Sequence, residues 1–227
     1  MTDSTQTLTR MQECLCRWEA DGDARAVFLG CYAQMTANMA AGIAAGEFHD
    51  PIWVQRLLVH FAGYYFDALD AYDAGGPISP VWSCAHDAAD RPGVSVLVQL
   101  LLGVNAHINY DLVLATADVL EGEWASLSPE ARAQRQADYN HVNEIIGRTI
   151  DVVQDEIIER REPALALIDT LLGPVDEWMV RREITRWRSA VWEEALRRVS
   201  LTEPEARELH RQAVEAAALQ TARRLGG

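Results

Sequence analysis

Lysine is missing from this 227-residue sequence; all 20 positively charged residues are arginine. That excludes a Schiff-base amine, a pyridoxal-phosphate anchor and the phosphate-gripping lysine of P-loop or kinase sites. Positive charge is scarce as well. The 34 acidic residues leave a formal net charge of −14, and a surface of that sign repels nucleic-acid backbones. Cysteine is limited to Cys14, Cys16, Cys31 and Cys84, without metal or disulfide spacing, so these read as reduced thiols within helices. The most apolar stretch, Val94–Val104, is broken by Ser95 and Gln99 and is too short to cross a bilayer. Residues 1–17 show no charged head, apolar run or small-residue cleavage site, which points to a cytoplasmic protein. Acid–base or metal chemistry therefore falls to 6 histidines and the carboxylates.

What is present is helical. The 8 prolines and 14 glycines sit mostly where helices would begin and end. Asp50-Pro51, Ser79-Pro80 and Ser128-Pro129 each set a capping side chain before a proline at the first helical position. Thr202 and Glu205 have capping-box spacing, and Gly173-Pro174 reads as a stop and restart. The pattern predicts helices near 7–19, 23–45, 50–73, 80–89, 93–118, 129–160, 163–172, 175–199 and 203–224. No alternating β-branched run competes, and no linker or repeat divides the chain. The expectation is one all-α domain over 1–227, a bundle of about eight helices around a central apolar helix at 93–118.

That central helix is apolar at both ends, yet its middle reads Asn105-Ala-His107-Ile-Asn109-Tyr-Asp111. Buried amides and carboxylates are costly unless paired. At about 100° per residue, His107 and Asp111 share one face and Asn105 and Asn109 the other. The first pair is expected to face a site, and the asparagines to knit neighbouring helices or contact a ligand. On 129–160, Asp138 and Tyr139 fall on the buried stripe with His141 at its edge. On 175–199, Arg188 projects from the apolar side one turn before Trp192, and a buried arginine needs a carboxylate or an anion. Asp111 and Asp138 are the natural partners. His60 and Tyr64 share the outer face of 50–73, whereas His49, His86 and His210 read as helix-end or polar-face residues.

The motif Leu101–Leu112, L-L-G-V-N-A-H-I-N-Y-D-L, resembles the signature of an uncharacterised bacterial helical family labelled only as a domain of unknown function. D-P-I-W-V-Q-R-L, Y-F-D-A-L, A-D-Y-N-H-V-N (137–143) and R-W-R-S-A-V-W-E-E-A (186–195) extend the resemblance in the same order. It covers 23–199, implies a helical fold, and makes Asn105, His107, Asn109, Asp111, Asp138, Asn143, Arg188 and Trp192 matching positions. It implies no reaction.

Several functions fit these residues. The first is an acid–base enzyme of cyclase, lyase or isomerase type, in bacterial secondary metabolism, acting on a small and largely apolar metabolite without a cofactor. There His107 would move the proton, Asp111 would hold its tautomer, and Asp138 and Arg188 would orient substrate or stabilise charge. Asn105, Asn109, Tyr64, Tyr139 and Trp192 would contact the substrate. The second is a metal-dependent hydrolase, because L-G-x-x-x-H-x-x-x-D (102–111) is similar to a ligand helix of the zinc-dependent phospholipase C and nuclease superfamily. His107, Asp111, His141 and His60 would then bind a divalent ion such as zinc. That superfamily's further His/Asp ligands and N-terminal tryptophan are not supplied here. A third is a class I terpene-synthase-like enzyme, suggested by Asp67-x-x-Asp70 and by Asn143-x-x-x-Gly147-x-x-x-Asp151, the second of which resembles that family's magnesium-binding motif. The fourth is a non-catalytic helical module binding a ligand or partner. The chemistry expected throughout is a small-molecule substrate, no nucleic acid and no membrane span, with a homodimer allowed.

Overall fold

The computed structural model of the chain describes residues 4–153 and 175–226, and side chains within 4–150 and 181–226. Among these residues the fold is all-α, with no strand. Its helices are α1 Ser4–Asp21, α2 Ala26–Ala44, α3 Pro51–Asp73, α4 Pro80–Ala89, α5 Val96–Glu121, α6 Pro129–Val153, α7 Val175–Ser200 and α8 Pro204–Leu225. The helix expected at 163–172 and the stop at Gly173-Pro174 lie outside the described residues.

The starts follow the capping chemistry of the sequence. Ser79 Oγ accepts from the Trp82 amide at 3.3 Å with Pro80 as the first helical residue. Asp50 Oδ1 accepts from the Trp53 amide at 2.9 Å before Pro51. At α8 the expected box does not form. Pro204 takes the first helical position, so the cap falls on Glu203, which makes no side-chain cap bond. The ends of α2 and α3 need glycine. Gly46 and Gly75 have φ of +73° and +67°, where a side chain is strained. The amides of Glu47 and Gly76 then reach back to the carbonyls of Gly42 and Ala71, satisfying groups a helix end leaves open.

The chain forms two compact units: 1–55 with 129–186, and 56–128 with 187–227. No linker marks them in sequence because neither is continuous; the chain passes between them inside α3 and α7 and at Ser128-Pro129. In the first unit α2 packs on both α1 and α6. Met11, Trp18, Val27, Leu29, Tyr139 and Ile145 fill its core. Gly42 brings α2 and α6 together, since a Cβ there would lie 3.1 Å from Ile145 Cδ1. Asn38 Nδ2 donates to Thr149 Oγ1 at 2.8 Å across the same contact.

In the second unit α4, α5 and α8 pack on one another. Helix α5 is less uniformly enclosed than its composition suggests. Residues 110–117 are all buried, but Leu97 is exposed and its neighbours are half-buried. Because α5 runs on to Glu121, it is long and apolar enough to cross a membrane by length and composition, unlike the 94–104 run alone. More than half of its most apolar window, 56%, is buried inside the protein, which is how a core helix passes that test.

Candidate functional site

The regular geometry of α5 breaks at its polar centre. Residues His107–Asp111 form a π-helical turn, in which the Leu112 amide returns to the carbonyl of His107, five residues back. One extra residue is accommodated in that turn, a device frequent at functional sites. Both ends of the turn carry the titratable pair. His107 Nδ1 lies 3.4 Å from Asp111 Oδ2, the long end of hydrogen-bond range. His107 is 4% exposed and Asp111 1%.

Aromatic rings enclose the pair. Phe61 stacks on the His107 ring at 3.6 Å between centroids and 12° between planes. Tyr65 meets the same ring edge-on at 6.1 Å. Trp82 Nε1 donates to both Asp111 oxygens, at 3.1 and 3.0 Å. Asp111 is therefore held by an indole, a partner the sequence did not suggest. The low-dielectric surroundings favour the neutral form of each group. Burial pushes His107 well below its ordinary value. It pushes Asp111 well above its own, with the Trp82 hydrogen bond opposing.

The asparagines tie the π turn down. Asn105 is fully buried and donates through Nδ2 to the Ala218 carbonyl of α8 at 3.0 Å. Asn109 Nδ2 donates to Asn105 Oδ1 at 2.9 Å. Tyr110 joins them, its hydroxyl accepting from Arg211 Nη1 at 2.9 Å. Arg188 and Trp192 are buried in the same unit, at 5% and 4% exposure, with Trp192 edge-on to Trp124 at 5.9 Å. Tyr64 and His60 meet on Asp118 instead: the hydroxyl donates at 2.7 Å, and His60 Nε2 lies 3.0 Å away. Burial and the bond to Asp118 raise the Tyr64 hydroxyl far above its ordinary value.

Asp138, Tyr139 and His141 belong to the other unit. Asp138 is buried, and its two oxygens accept from the main-chain amides of His49 and Asp50 at 2.7 and 2.8 Å. It thus holds the turn into α3, whose own cap Asp50 also accepts from Arg135 at 2.7 Å. His141 Nε2 lies 3.0 Å from Glu47, which Arg148 also contacts at 2.7 Å. The bonds from Arg148 and His141 draw Glu47 down to about 2.

Among the described residues no three His, Cys, Asp or Glu side chains are grouped to hold a metal ion. His107 turns to Asp111, His60 to Asp118 and His141 to Glu47 and Glu144, so the three histidines of the proposed ligand set share no carboxylate. Asp67 and Asp70 are exposed, and the Asp151 side chain lies outside the described residues.

His86 lies in the last turn of α4, as expected of a helix-end residue, but it and His210 are both buried. His86 is buried at 4% exposure, stacked on Trp82 at 5.3 Å and meeting Tyr72 at a tilt at 4.6 Å. His210 is 9% exposed and pairs with Glu194 at 3.0 Å. Reading α4 and α8 as polar faces overlooked the helices packed against them. Trp82 and Asp118 were missed altogether. Asp118 stands seven residues after Asp111, two turns along one helix face, and that spacing was the available signal. Trp82 had none beyond its place after the Ser79 cap.

Fold and site together define an all-helical protein with a buried His–Asp pair on a π turn. The chain belongs to the Family of unknown function (DUF5995), whose profile matches residues 4–226. The match takes in α1 and α8, beyond the stretch that the sequence motifs delimit. No curated protein and no solved structure shows a significant match to the chain.

Proposed function

We propose that this chain is an acid–base enzyme of cyclase, lyase or isomerase type, acting on a small and largely apolar metabolite. The observation that carries the reading is the π turn with His107 and Asp111 at its two ends. A widened turn gives up regular α geometry, and here it coincides with two groups whose protonation burial shifts in opposite directions, His107 downward and Asp111 upward. Perturbed titratable groups concentrate at functional sites. His107, neutral at physiological pH, takes the substrate proton, and Asp111 orients its ring and stabilises the charge that develops on it. Phe61 and Tyr65 supply apolar walls suited to such a substrate. Arg188, a buried cation of the same unit, is assigned to developing negative charge.

The test is solvent isotope incorporation. The full chain, incubated in deuterated water with pools of small apolar metabolites, is expected to introduce deuterium into one of them or convert it to an isomer. His107→Gln should lower that rate by about 100-fold or more. Pools left unchanged by the wild-type chain would sink the reading.

One observation favours a second reading. Phe61 lies flat on His107 at 3.6 Å, and the pair is sealed, as in a structural polar lock inside a ligand- or partner-binding module. In that case His107→Gln lowers the melting temperature and leaves isotope incorporation absent in both proteins.

A further inference from the structure

Trp82 enters the molecule through a tightly specified route. Ser79 caps its amide, Pro80 fixes the first turn, and the ring is 1% exposed between Tyr65 and His86, 5.4 and 5.3 Å away. Its single N–H reaches both Asp111 oxygens at nearly equal distance. A donor so shared lies near the bisector of the carboxyl group. Oδ2, one of the two oxygens so held, is also the one 3.4 Å from His107 Nδ1.

A donor shared between two oxygens is best matched by a carboxylate, where both carry charge and both accept. A carboxylate cannot donate. For the Oδ2–Nδ1 contact to be a hydrogen bond, the proton must then sit on Nδ1. Neutral imidazole has one N–H, so the lone pair falls to Nε2. We propose that Trp82 is a positioning residue whose indole holds Asp111 as an oriented carboxylate and thereby fixes His107 as the Nδ1–H tautomer, with Nε2 as the basic nitrogen. The use of Nε2 rests on the acid–base reading above; the tautomer does not. Burial favours the carboxylic acid at Asp111, and the indole is the group that opposes it. Without the indole, Asp111 takes up a proton and donates it to Nδ1, and the imidazole proton moves to Nε2.

Nitrogen NMR of the full chain carrying labelled histidine tests this without any substrate. The His107 signals are identified by their loss in His107→Gln. Near pH 8 the wild-type chain is expected to show a protonated Nδ1 and an unprotonated Nε2. In Trp82→Phe, with folding checked by circular dichroism, the signals should move to the Nε2–H form or to a mixture of both. A wild-type Nε2–H tautomer overturns the proposal, as does a folded Trp82→Phe chain that keeps the wild-type pattern. Should that variant not fold, the wild-type spectrum decides alone. A purely packing role for Trp82 predicts no change of tautomer. An Nδ1–H tautomer in a chain that incorporates no deuterium ends the enzyme reading and leaves the positioning role standing.

Discussion

Burial acts on Asp111 and His107 with opposite signs, and each sign sets a pH range. Asp111 binds its proton more tightly folded than unfolded. The stability this gives is complete below the ordinary carboxylate range and is lost as pH rises toward the folded value. His107 binds its proton less tightly folded. Its contribution is complete above its ordinary value of 6.5 and is lost as pH falls below it. Thermal melts at stepped pH are expected to show Asp111→Asn gaining on the wild-type chain as pH rises above the ordinary carboxylate range. His107→Gln should gain on it as pH falls below the histidine range. Parallel curves would refute both assignments. Asp138 makes a different case, as an acceptor for two amides in the turn before α3. Removing it strands both donors, so Asp138→Ala should cost about 3 kcal/mol and Asp138→Asn, which keeps one oxygen, less. Urea unfolding gives the comparison.

At the scale of elements, two helical glycines should respond to alanine with opposite signs. A Cβ at Gly147 would meet the Arg181 guanidinium, with Cζ at 2.5 Å, but Arg181 is exposed and its flexible end can swing aside. Helix propensity then dominates, and Gly147→Ala should stabilise by about 0.5 kcal/mol. At Gly42 the neighbour is Ile145 Cδ1 at 3.1 Å, in a residue only 1% exposed. Gly42→Ala should therefore destabilise by about 1 kcal/mol. Denaturant midpoints of the two variants on either side of wild type would bear this out. The elements themselves were legible because Pro51, Pro80 and Pro129 fix where helices begin and glycine where they end. Asp111, Asp138 and Arg188, the charged Asp and Arg side chains buried among the described residues, were legible too, because each interrupts an apolar stripe. The π turn was not. A wheel drawn at fixed pitch assumes regular hydrogen bonding, and nothing in Asn-Ala-His-Ile-Asn-Tyr-Asp announces the extra residue. Nor could a wheel say that Trp82, from another helix, holds Asp111.

For the molecule as a whole, the charge imbalance dominates. A net charge of −14 repels itself, and salt screens that repulsion. Many of the surface ion pairs, such as Arg186–Glu183 and Arg211–Glu208, are exposed and contribute little individually. Raising salt from about 10 mM to about 150 mM, which shortens the screening length from about 30 to 8 Å, should therefore raise the melting temperature. A fall would mean that the arginine pairs outweigh the surplus of carboxylates.

The turn at 107–111 also has a genealogical meaning. A π turn holds one residue more than the α turn it interrupts, so it amounts to an insertion that a helix has absorbed without breaking. Family members that share it should align through α5 without a gap. Members that never gained it, or have lost it, should be shorter by a single residue within this helix, with everything after that point turned to a different face. A one-residue gap at this place would thus sort the family into chains that can hold the pair and chains that cannot.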